Sequence, residues 1–366
     1  MKVKKVYLKN YLSYESLFVE FADGLNIIVG NNATGKTNLL DSIYYSSIGK
    51  SSKGLKDKEL INWDAKETEN ARIRLFVETR NNTHIVDIQI NRLGKKRITI
   101  DDMPITKIGE LMGVIQVVYF SPDEMKLIKE SPQDRRRFMD ISLSQQDRLY
   151  FYSLVQYNQL LEQRNKLLKD YYNSDNLKDM STIITDKMAD TEMYIIRKRK
   201  EFIDSISPIA NKCHEIITGG KEDLKICYET SGNIDYNDIN GSLKKIYQAT
   251  FEKDCKLQYT TVGVHRDDIK IEAGGIDVRK FGSQGQKRTA VLSLKLAEIE
   301  RFHMVTKEYP VVLLDDVLSE LDEDRRTEFF KLLKDVQTFV TCTEYGNELG
   351  DNKTIYRIKD KKVTKQ

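Results

Sequence analysis

The chain has 366 residues, of which 40% are apolar and 31% charged, and its formal net charge is +3. This length gives room for two domains or for one domain with a large insertion, and the apolar share is sufficient for a core. No apolar run reaches the roughly 18 residues that predict a membrane span. The small net charge excludes binding to nucleic acid by general attraction, so a surface of that kind must be a local patch.

The four cysteines are scattered through the second half of the chain and show no C-x-x-C spacing. They are Cys213, Cys227, Cys255 and Cys342. This pattern favours reduced thiols in a cytoplasmic protein over disulfides or a zinc site. The first five residues lead directly into a strand pattern, and we therefore expect no cleavable signal peptide.

The chain begins with alternating patterns at residues 2–9 and 16–22, which predict an antiparallel pair of strands. A short apolar strand follows at 25–29. Residues 30–37 then fit G-x-x-x-x-G-K-[ST], and residues 38–48 have the apolar spacing of a helix. A strand, a glycine-rich turn and a helix are the context that a phosphate-binding loop requires. The alternative is a glycine-rich turn that only connects the strand to the helix.

The predicted phosphate loop supplies a complete set of phosphate-binding groups. Its candidate ATP-binding residues are Gly30, Asn31, Asn32, Ala33, Thr34, Gly35, Lys36, Thr37 and Asn38. The two glycines let backbone N–H groups close around phosphate oxygens at the positive end of the helix. Lys36 can reach the β- and γ-phosphates, and the Thr37 hydroxyl is placed to bind Mg²⁺.

The next part of the chain predicts a surface segment and then a second group of strands. Residues 50–69 are polar and carry the single tryptophan, Trp63. Residues 71–79, 83–92 and 96–100 predict an antiparallel sheet, and residues 114–120 form a further apolar strand that carries Gln116. Serine–proline pairs at 121–122 and 131–132 are typical of helix starts.

From about residue 150 the apolar period becomes helical. The positions with this spacing are Tyr150, Leu154, Tyr157, Leu161 and Leu168, and then Met180, Ile184, Met188, Ile195, Phe202, Ile206 and Ile209. A break at 173–176 predicts a long helical hairpin, an arm inserted between two halves of an α/β domain. The alternative is an ordinary helical subdomain. Two glycines at 219–220 end this region, and strands at 224–229 and 268–272 with a helix at 242–252 predict a return to the head.

The last part of the chain contains a fully apolar strand at 311–314 that ends in Asp315 and Asp316. Paired with a phosphate loop, such a strand predicts the second half of a nucleotide site. Asp315 would hold Mg²⁺ through water, and Asp316 would polarise the attacking water. Residues 338–341 predict the next buried strand and residues 354–358 a last edge strand.

A second anion-binding helix start is predicted at residues 281–288, ahead of a helix at 289–302. Ser283 and the Gly285 N–H would lie at the helix N-terminus. Since one nucleotide does not need two such helix starts, we interpret this one as serving the γ-phosphate held by a partner subunit. The alternative is an ordinary N-capped helix.

These elements together resemble a known family. A phosphate loop, a strand with Gln116, an S-x-G-Q helix start and an apolar strand with D-D are followed by Ser319-Glu320-Leu321-Asp322. This order is typical of ABC-type ATPases, and within them the chain resembles the RecF family of DNA replication and repair proteins, which are SMC-like. The matching segments are residues 30–38, 120–124, 131–138, 263–268, 283–288 and 314–322.

The resemblance implies an α/β fold, an ABC-type P-loop ATPase head of two lobes with an inserted, mainly helical arm domain. The N-terminal lobe with the phosphate loop would be residues 1–122, the arm 123–257, and the C-terminal lobe with the signature motif and the acid pair 258–366. It implies ATP and Mg²⁺ as cofactors and slow, DNA-stimulated ATP hydrolysis that acts as a switch.

The resemblance also implies partners and a location. The protein would form a homodimer on ATP and bind double-stranded DNA and junctions of single- and double-stranded DNA at gaps. It would help to load RecA together with RecR and RecO, and it would be cytoplasmic and nucleoid-associated, without a membrane partner.

Site roles carry over by position. Lys36, Asp315, Asp316 and Gln116 would be catalytic, with Gln116 as the Q-loop residue, and Thr37, Gln116 and Asp315 would hold the metal. The signature that acts in trans would be Ser283, Gln284, Gly285 and Gln286, and the loop between the two sites Ser319, Glu320, Leu321 and Asp322.

Three positions depart from the family pattern. Residues 10–13 contain Leu12 where an Arg-Asn pair is usual, which leaves open whether another segment supplies an arginine near the nucleotide. Val264 replaces a usual proline. Thr343 occupies the switch position, where ABC transporters carry histidine.

Basic clusters supply the candidate DNA contacts. They are Arg135, Arg136, Arg137, Arg197, Lys198, Arg199, Lys200 and Lys280. Basic runs on helices are often solvated faces, and one of three consecutive arginines must point inward or sideways.

Four rival functions share parts of this pattern. A transporter ATPase subunit would need a coupling surface for a membrane partner, and a metabolic P-loop kinase would lack the S-Q-G-Q helix. A nuclease on the same head would be expected to continue into a further acidic domain. An SMC-like clamp without turnover stays open, and ATPase measurements with and without DNA distinguish it from a switching enzyme.

Overall fold

The computed structural model of the chain describes residues 1–171, 174–317, 323–344 and 353–366. The predicted loop of Ser319, Glu320, Leu321 and Asp322 therefore lies outside the described residues. Among the helices in these ranges, none combines the length and apolar character needed to cross a membrane.

The described residues include both strands and helices. The strands are β1 (Lys2–Tyr11), β2 (Tyr14–Glu20), β3 (Leu25–Val29), β4 (Ala71–Glu78), β5 (Thr83–Ile90), β6 (Lys96–Ile100), β7 (Met103–Pro104), β8 (Val117–Phe120), β9 (Leu224–Glu229), β10 (Asp268–Ala273), β11 (Ile276–Asp277), β12 (Val311–Asp315), β13 (Thr338–Cys342), β14 (Lys353–Lys359) and β15 (Lys362–Lys365). The helices are α1 (Lys36–Ile48), α2 (Lys126–Lys129), α3 (Pro132–Gln146), α4 (Arg148–Asp170), α5 (Leu177–Thr218), α6 (Ile239–Leu257), α7 (Val278–Phe281), α8 (Gln284–Thr306) and α9 (Glu323–Leu332).

The chain divides into two compact units. The first contains Met1–Glu124, Glu215–Lys221 and Leu292–Gln366, and the second contains Met125–His214 and Glu222–Val291. The first unit holds both large sheets, and the second holds most of the helical residues and one small sheet.

One sheet of the first unit is antiparallel, in the order β2-β1-β4-β5-β6-β7. Its buried face is made by alternate apolar residues, as Val6 and Leu8 of β1 and Ile73 and Leu75 of β4 show, all fully buried. The other side of each strand carries polar side chains, because successive residues of a strand face opposite sides. The antiparallel pairings that the alternating patterns predicted are confirmed.

The other sheet of the first unit has the order β15-β14-β3-β13-β12-β8. The strands β14, β3, β13, β12 and β8 run parallel, and β15 pairs antiparallel with β14. Parallel strands are covered on both faces, which explains why β12 and β13 are continuous buried runs. The predicted edge strand at 354–358 is therefore internal, since β15 lies outside it.

Helix α1 connects the two sheets of the first unit. It contacts β4 of the antiparallel sheet and β8, β12 and β13 of the parallel sheet. Leu39, Leu40 and Ile43 are fully buried, and Gly49 ends the helix in a left-handed conformation with φ 69°. The helix that follows the phosphate loop is thus fixed on several sides, and its first turn has a defined position relative to β12.

The second unit packs helices around the sheet β11-β10-β9. Strand β9 pairs antiparallel with β10, and α3 packs on both α4 and β10. The structure corrects the predicted return to the head at 224–229 and 268–272, because these two strands pair with each other inside the second unit. That unit continues to Val291, whereas the predicted arm ended at 257.

A buried polar network holds the second unit around Glu192 of α5. Glu192 is fully buried, and its carboxyl accepts from the Val264 N–H and the Tyr247 hydroxyl, both at 2.8 Å. Burial raises the pKa of Glu192 to about 8. Gly263, at φ 116°, has no space for a side chain, since a Cβ there would lie 2.6 Å from Glu192 Oε1. Glycine at 263 thus lets the 263–268 segment approach α5.

Candidate nucleotide-binding site

The phosphate loop connects β3 to α1 with the backbone that its sequence predicts. Gly35 has φ 104°, and a Cβ at this position would lie 2.8 Å from Ser13 Oγ and 2.9 Å from the Tyr14 hydroxyl oxygen. At Gly30 a Cβ would lie 2.9 Å from the Ile358 carbonyl oxygen. Both glycines are therefore required by close approach, and the loop between them turns its exposed residues, Asn31–Ala33, toward solvent.

Lys36 is held against the loop that precedes it. Its side-chain ammonium donates to the carbonyl oxygens of Gly30 at 2.7 Å and Asn31 at 3.1 Å. The residue is only 5% exposed, so its ammonium group is held against the loop and largely shielded from water. A buried cation beside backbone N–H groups at a helix start is suited to bind a polyphosphate.

Thr37 and Asp315 come together although 278 residues separate them. The Thr37 hydroxyl donates to Asp315 Oδ1 at 3.0 Å. Two more hydroxyls donate to the same carboxylate, Thr341 to Oδ1 at 2.7 Å and Tyr119 to Oδ2 at 2.9 Å. Hydroxyl and carboxylate oxygens are ligands that Mg²⁺ prefers, so this pair fits the predicted metal. Within the described residues no group of three or more His, Cys, Asp or Glu could hold a metal, so Mg²⁺ here would also need phosphate and water oxygens.

Asp316 lies directly after β12 in a strained backbone conformation. Its φ is 53°, in the left-handed region that few residues other than glycine adopt, and its N–H donates to the Thr341 hydroxyl at 3.0 Å. Burial and the adjacent Asp315 carboxylate raise the pKa of Asp316, and the nearby Lys36 ammonium opposes them. The strained turn separates the two carboxylates, so that Asp315 meets Thr37 and Asp316 is half-buried beside it.

The structure does not bring Gln116 to the phosphate loop. Strand β8 starts at Val117, so Gln116 lies at its amino end, whereas the loop and the acids lie at the carboxyl ends of the parallel strands. Four strand residues separate these ends by about 13 Å. Gln116 is buried, and its side-chain oxygen accepts from the Thr306 hydroxyl at 3.2 Å. This position corrects its assignment as a catalytic and metal-contacting residue.

A cleft adjoins the start of α1 within the first unit. It has a volume of about 740 Å³ and is lined by Leu12, Ser13, Asn38, Leu55, Lys58, Glu59, Ile61, Asn62, Trp63, Asp64, Arg92 and Lys361. Trp63 is 91% exposed. Asn38, which the sequence predicted as an ATP-binding residue, donates to Ser13 Oγ at 2.8 Å. Arg92 supplies an arginine to this cleft, where Leu12 stands at the usual arginine position.

The predicted signature motif forms the start of α8 in the second unit. Ser283 Oγ accepts from the Gln286 N–H at 3.2 Å, and the Gln286 side chain accepts from the Ser283 N–H at 2.8 Å. This reciprocal pair is a capping box. Ser283 and Gln284 are exposed and Gly285 is partly exposed. The helix therefore begins at 284 and not at 289, and its capped end is open to solvent.

Comparison with known proteins gives one consistent result. The family model "RecF/RecN/SMC N terminal domain" matches residues 2–365. A "DNA replication and repair protein RecF" of Clostridium beijerinckii is 41% identical over 369 residues, covering 100% of this chain and 99% of the relative. A protein of the same name from Clostridium botulinum is 42% identical over 343 residues, covering 94% and 93%. The chain belongs to the RecF family.

Solved structures agree with this membership of the RecF family. The chain is similar to the "recombination mediator protein RecF-ATPrS in RecFOR pathway", with a TM-score of 0.92, 35% identity, and coverage of 100% and 98%. The ATP form of that protein gives a TM-score of 0.91 at 35% identity, with coverage of 100% and 97%. An Smc head matches with a TM-score of 0.60 at 16% identity, covering 100% and 98%, which shows the shared fold alone. The predicted ABC-type ATPase fold is therefore confirmed.

Two of the basic residues predicted to contact DNA in this RecF-family chain are buried. Arg135 is 2% exposed and pairs with Asp268 at 2.5 Å. Arg199 is 1% exposed and pairs with Asp140 at 2.8 Å and Asp267 at 3.4 Å. Both predictions of DNA contact are wrong, because these guanidinium groups are buried and are held by the carboxylates of Asp268, Asp140 and Asp267.

The other predicted basic residues differ in accessibility. Arg136 is partly buried and donates to the Asp267 carbonyl at 2.7 Å, Lys198 lies 3.3 Å from Glu201, and Lys200 pairs with Asp204. The exposed members of the set are Arg137, Arg197 and Lys280. These three remain candidates for DNA contact.

Sequence reasoning missed Tyr119 and Thr341, which hold Asp315 from the neighbouring strands. Neither residue belongs to a motif. They can be identified only from the order of the strands, because β8 and β13 are the neighbours of β12. Thr343, the predicted switch position, is exposed directly after β13.

Proposed function

We propose that the protein is an ATP-dependent DNA-binding protein of DNA replication and repair that uses slow ATP hydrolysis as a switch. The contact that carries this proposal is the 3.0 Å hydrogen bond from Thr37 to Asp315. It joins the phosphate loop to the acid of a distant strand, as a nucleotide site with a divalent metal requires. Membership of the RecF family and similarity to ATP-bound relatives support it.

ATP would bind with its phosphates over the loop and its base in the adjoining cleft. Lys36 and the N–H groups at the start of α1 would bind the β- and γ-phosphates. Trp63, which is 91% exposed at the edge of the cleft, offers a ring on which the adenine can stack. Arg92 lies on the same wall and can face the ribose or a phosphate.

Hydrolysis would depend on the carboxylate that follows the metal-binding acid. Thr37 and Asp315 would hold Mg²⁺, which neutralises charge on the phosphates. Asp316 would accept a hydrogen bond from the attacking water. Its side chain is one methylene shorter than the glutamate of ABC transporters. The shorter reach positions the attacking water less well, which favours slow turnover.

A second subunit would complete the site. The start of α8 is capped and exposed, and its N–H groups can bind the γ-phosphate held by a partner. ATP would therefore drive homodimerisation and double the number of phosphate contacts on one DNA segment.

The relatives' place in the RecFOR pathway leads us to propose double-stranded DNA and single/double-strand junctions at gaps as ligands. It also leads us to propose RecR and RecO as partners that help to load RecA.

Sedimentation with and without ATP, alone and with gapped or single-stranded DNA, tests this function. We expect monomers without nucleotide, dimers with ATP, and stronger duplex binding with a steeper dependence on log salt when ATP is present. Lys36→Ala is the matched control, because it removes the phosphate-binding ammonium. Dimerisation that is equal with and without ATP, or a salt slope that ATP does not change, would contradict the proposal.

A further inference from the structure

Tyr119 lies on β8 next to β12 and contacts the metal-binding acid directly. Its hydroxyl donates to Asp315 Oδ2 at 2.9 Å, whereas Thr37 and Thr341 both donate to Oδ1. The orientation of a carboxylate is fixed when both oxygens are held. Tyr119 is the described residue that holds the second oxygen through its side chain. Its ring packs on Tyr44 of α1, with centroids 5.3 Å apart.

The Tyr119 side chain lies beside the segment that follows α1, where Ser52 is its neighbour. The Ser52 N–H and hydroxyl both donate to Asp41 Oδ1 of α1, at 2.7 Å and 2.5 Å. Asp41 is fully buried and also accepts from the Tyr11 hydroxyl at 2.7 Å. The single hydroxyl proton of Ser52 is thus used at Asp41, and the single hydroxyl proton of Tyr119 is used at Asp315.

We propose that Tyr119 is a positioning residue for metal binding, which fixes Asp315 for a divalent cation. The proposal rests on the proposed nucleotide function. Tyr119 would act on the metal through Asp315 and not by binding it directly. Residues that orient a metal ligand in this way contribute about 10- to 100-fold to metal affinity.

The test uses Tyr119→Phe, which keeps the ring and removes the hydroxyl. Binding of a fluorescent ATPγS analogue is measured at rising Mg²⁺ and in EDTA, on the full chain. We expect the Mg²⁺ concentration for half-maximal binding to rise about tenfold, with binding in EDTA unchanged. Tyr45→Phe is the control, because the Tyr45 hydroxyl bonds to Asp57 at 2.8 Å and has no contact with Asp315.

The outcomes separate the inference from the proposed function. An unchanged Mg²⁺ midpoint in Tyr119→Phe overturns the inference while the nucleotide site stands. A loss of binding that is equal in EDTA and in Mg²⁺, and equal in Tyr45→Phe, shows a general packing effect and also overturns it. If the nucleotide affinity of the wild-type protein is the same in Mg²⁺ and in EDTA, the metal site is contradicted, and with it the proposed function.

Discussion

Two arginines on α5, two residues apart, should affect different properties when they are replaced by alanine, one the stability of the fold and the other the affinity for DNA. Arg199 is 1% exposed and lies between Asp140 and Asp267, whereas Arg197 is exposed. We expect Arg199→Ala to destabilise the protein and Arg197→Ala to weaken DNA binding. The same contrast holds on α3 between Arg135, which is buried against Asp268, and the exposed Arg137.

The expected size of the effect follows from what Arg199 leaves behind. Its guanidinium also donates to the Val264 carbonyl at 2.7 Å and to the Tyr150 hydroxyl at 3.0 Å. Removal leaves the Asp267 side chain, which is 2% exposed, without its cation. Breaking a buried ion pair from one side costs about 3–5 kcal/mol. Arg197→Ala should change the free energy of unfolding by less than about 0.5 kcal/mol.

Urea unfolding measures the first half of this prediction, and duplex binding at several salt concentrations measures the second. Removal of one phosphate-binding side chain should flatten the slope of log affinity against log salt by about 0.9. Arg197→Ala and Arg137→Ala are thus expected to flatten it without a change in stability. DNA binding by the buried-arginine variants is compared below the onset of unfolding. An Arg199→Ala variant that is as stable as the wild type, or that flattens the slope while remaining fully folded, would contradict this prediction.

Three further predictions concern the nucleotide site and the second unit. Ser283→Arg should abolish ATP-induced dimerisation in sedimentation and leave ATP affinity nearly intact, because the proposed signature would act on the partner's nucleotide; a loss of affinity as large as in Lys36→Ala would exclude a two-subunit site. Asp316→Asn should trap an ATP-bound dimer with strengthened DNA binding, since it removes the carboxylate proposed to polarise water, and an unaltered hydrolysis rate would exclude Asp316 from the mechanism. Glu192 keeps its proton up to a pKa of about 8 in the folded state, against 4.5 as the ordinary value, so stability should fall as pH rises through this range. Glu192→Gln should lose that decline between about pH 6.5 and 8 in urea unfolding, and an identical slope in both proteins would show that Glu192 is not the titrating group.

The sequence predicts which residues the structure brings together at the phosphate loop where chemistry demands particular residues at particular spacings. Gly30 and Gly35 are required by close approach of neighbouring atoms. An acid at the end of an apolar strand, paired with a phosphate loop, predicts a shared metal site for Thr37 and Asp315, and the two side chains lie 3.0 Å apart across 278 residues of the chain.

Prediction fails where the outcome depends on the position of a residue along its strand or on which side chains pair with each other. The motif order predicts Gln116 beside the nucleotide, but Gln116 directly precedes Val117, the first residue of β8. It therefore lies at the end of the sheet opposite the phosphate loop. Arg135 and Arg199 are identical in type to their exposed neighbours. Only the carboxylates of Asp268 and Asp267, supplied by a distant segment, decide that these arginines are buried.

The residues that hold Asp315 could not be predicted from the sequence either, because they come from strands that are distant along the chain. Strand β12 lies between β8 and β13, so Leu313 pairs with Tyr119 and Asp315 pairs with Thr341. Both hydroxyls reach the acid because their strands are its neighbours, although they are 196 and 26 residues away along the chain. The residues of a motif are determined by the ligand that they bind. The Tyr119 and Thr341 hydroxyls, in contrast, meet Asp315 because of the order of the strands in the sheet. The positioning of Asp315, the proposed metal ligand, is therefore a property of the fold.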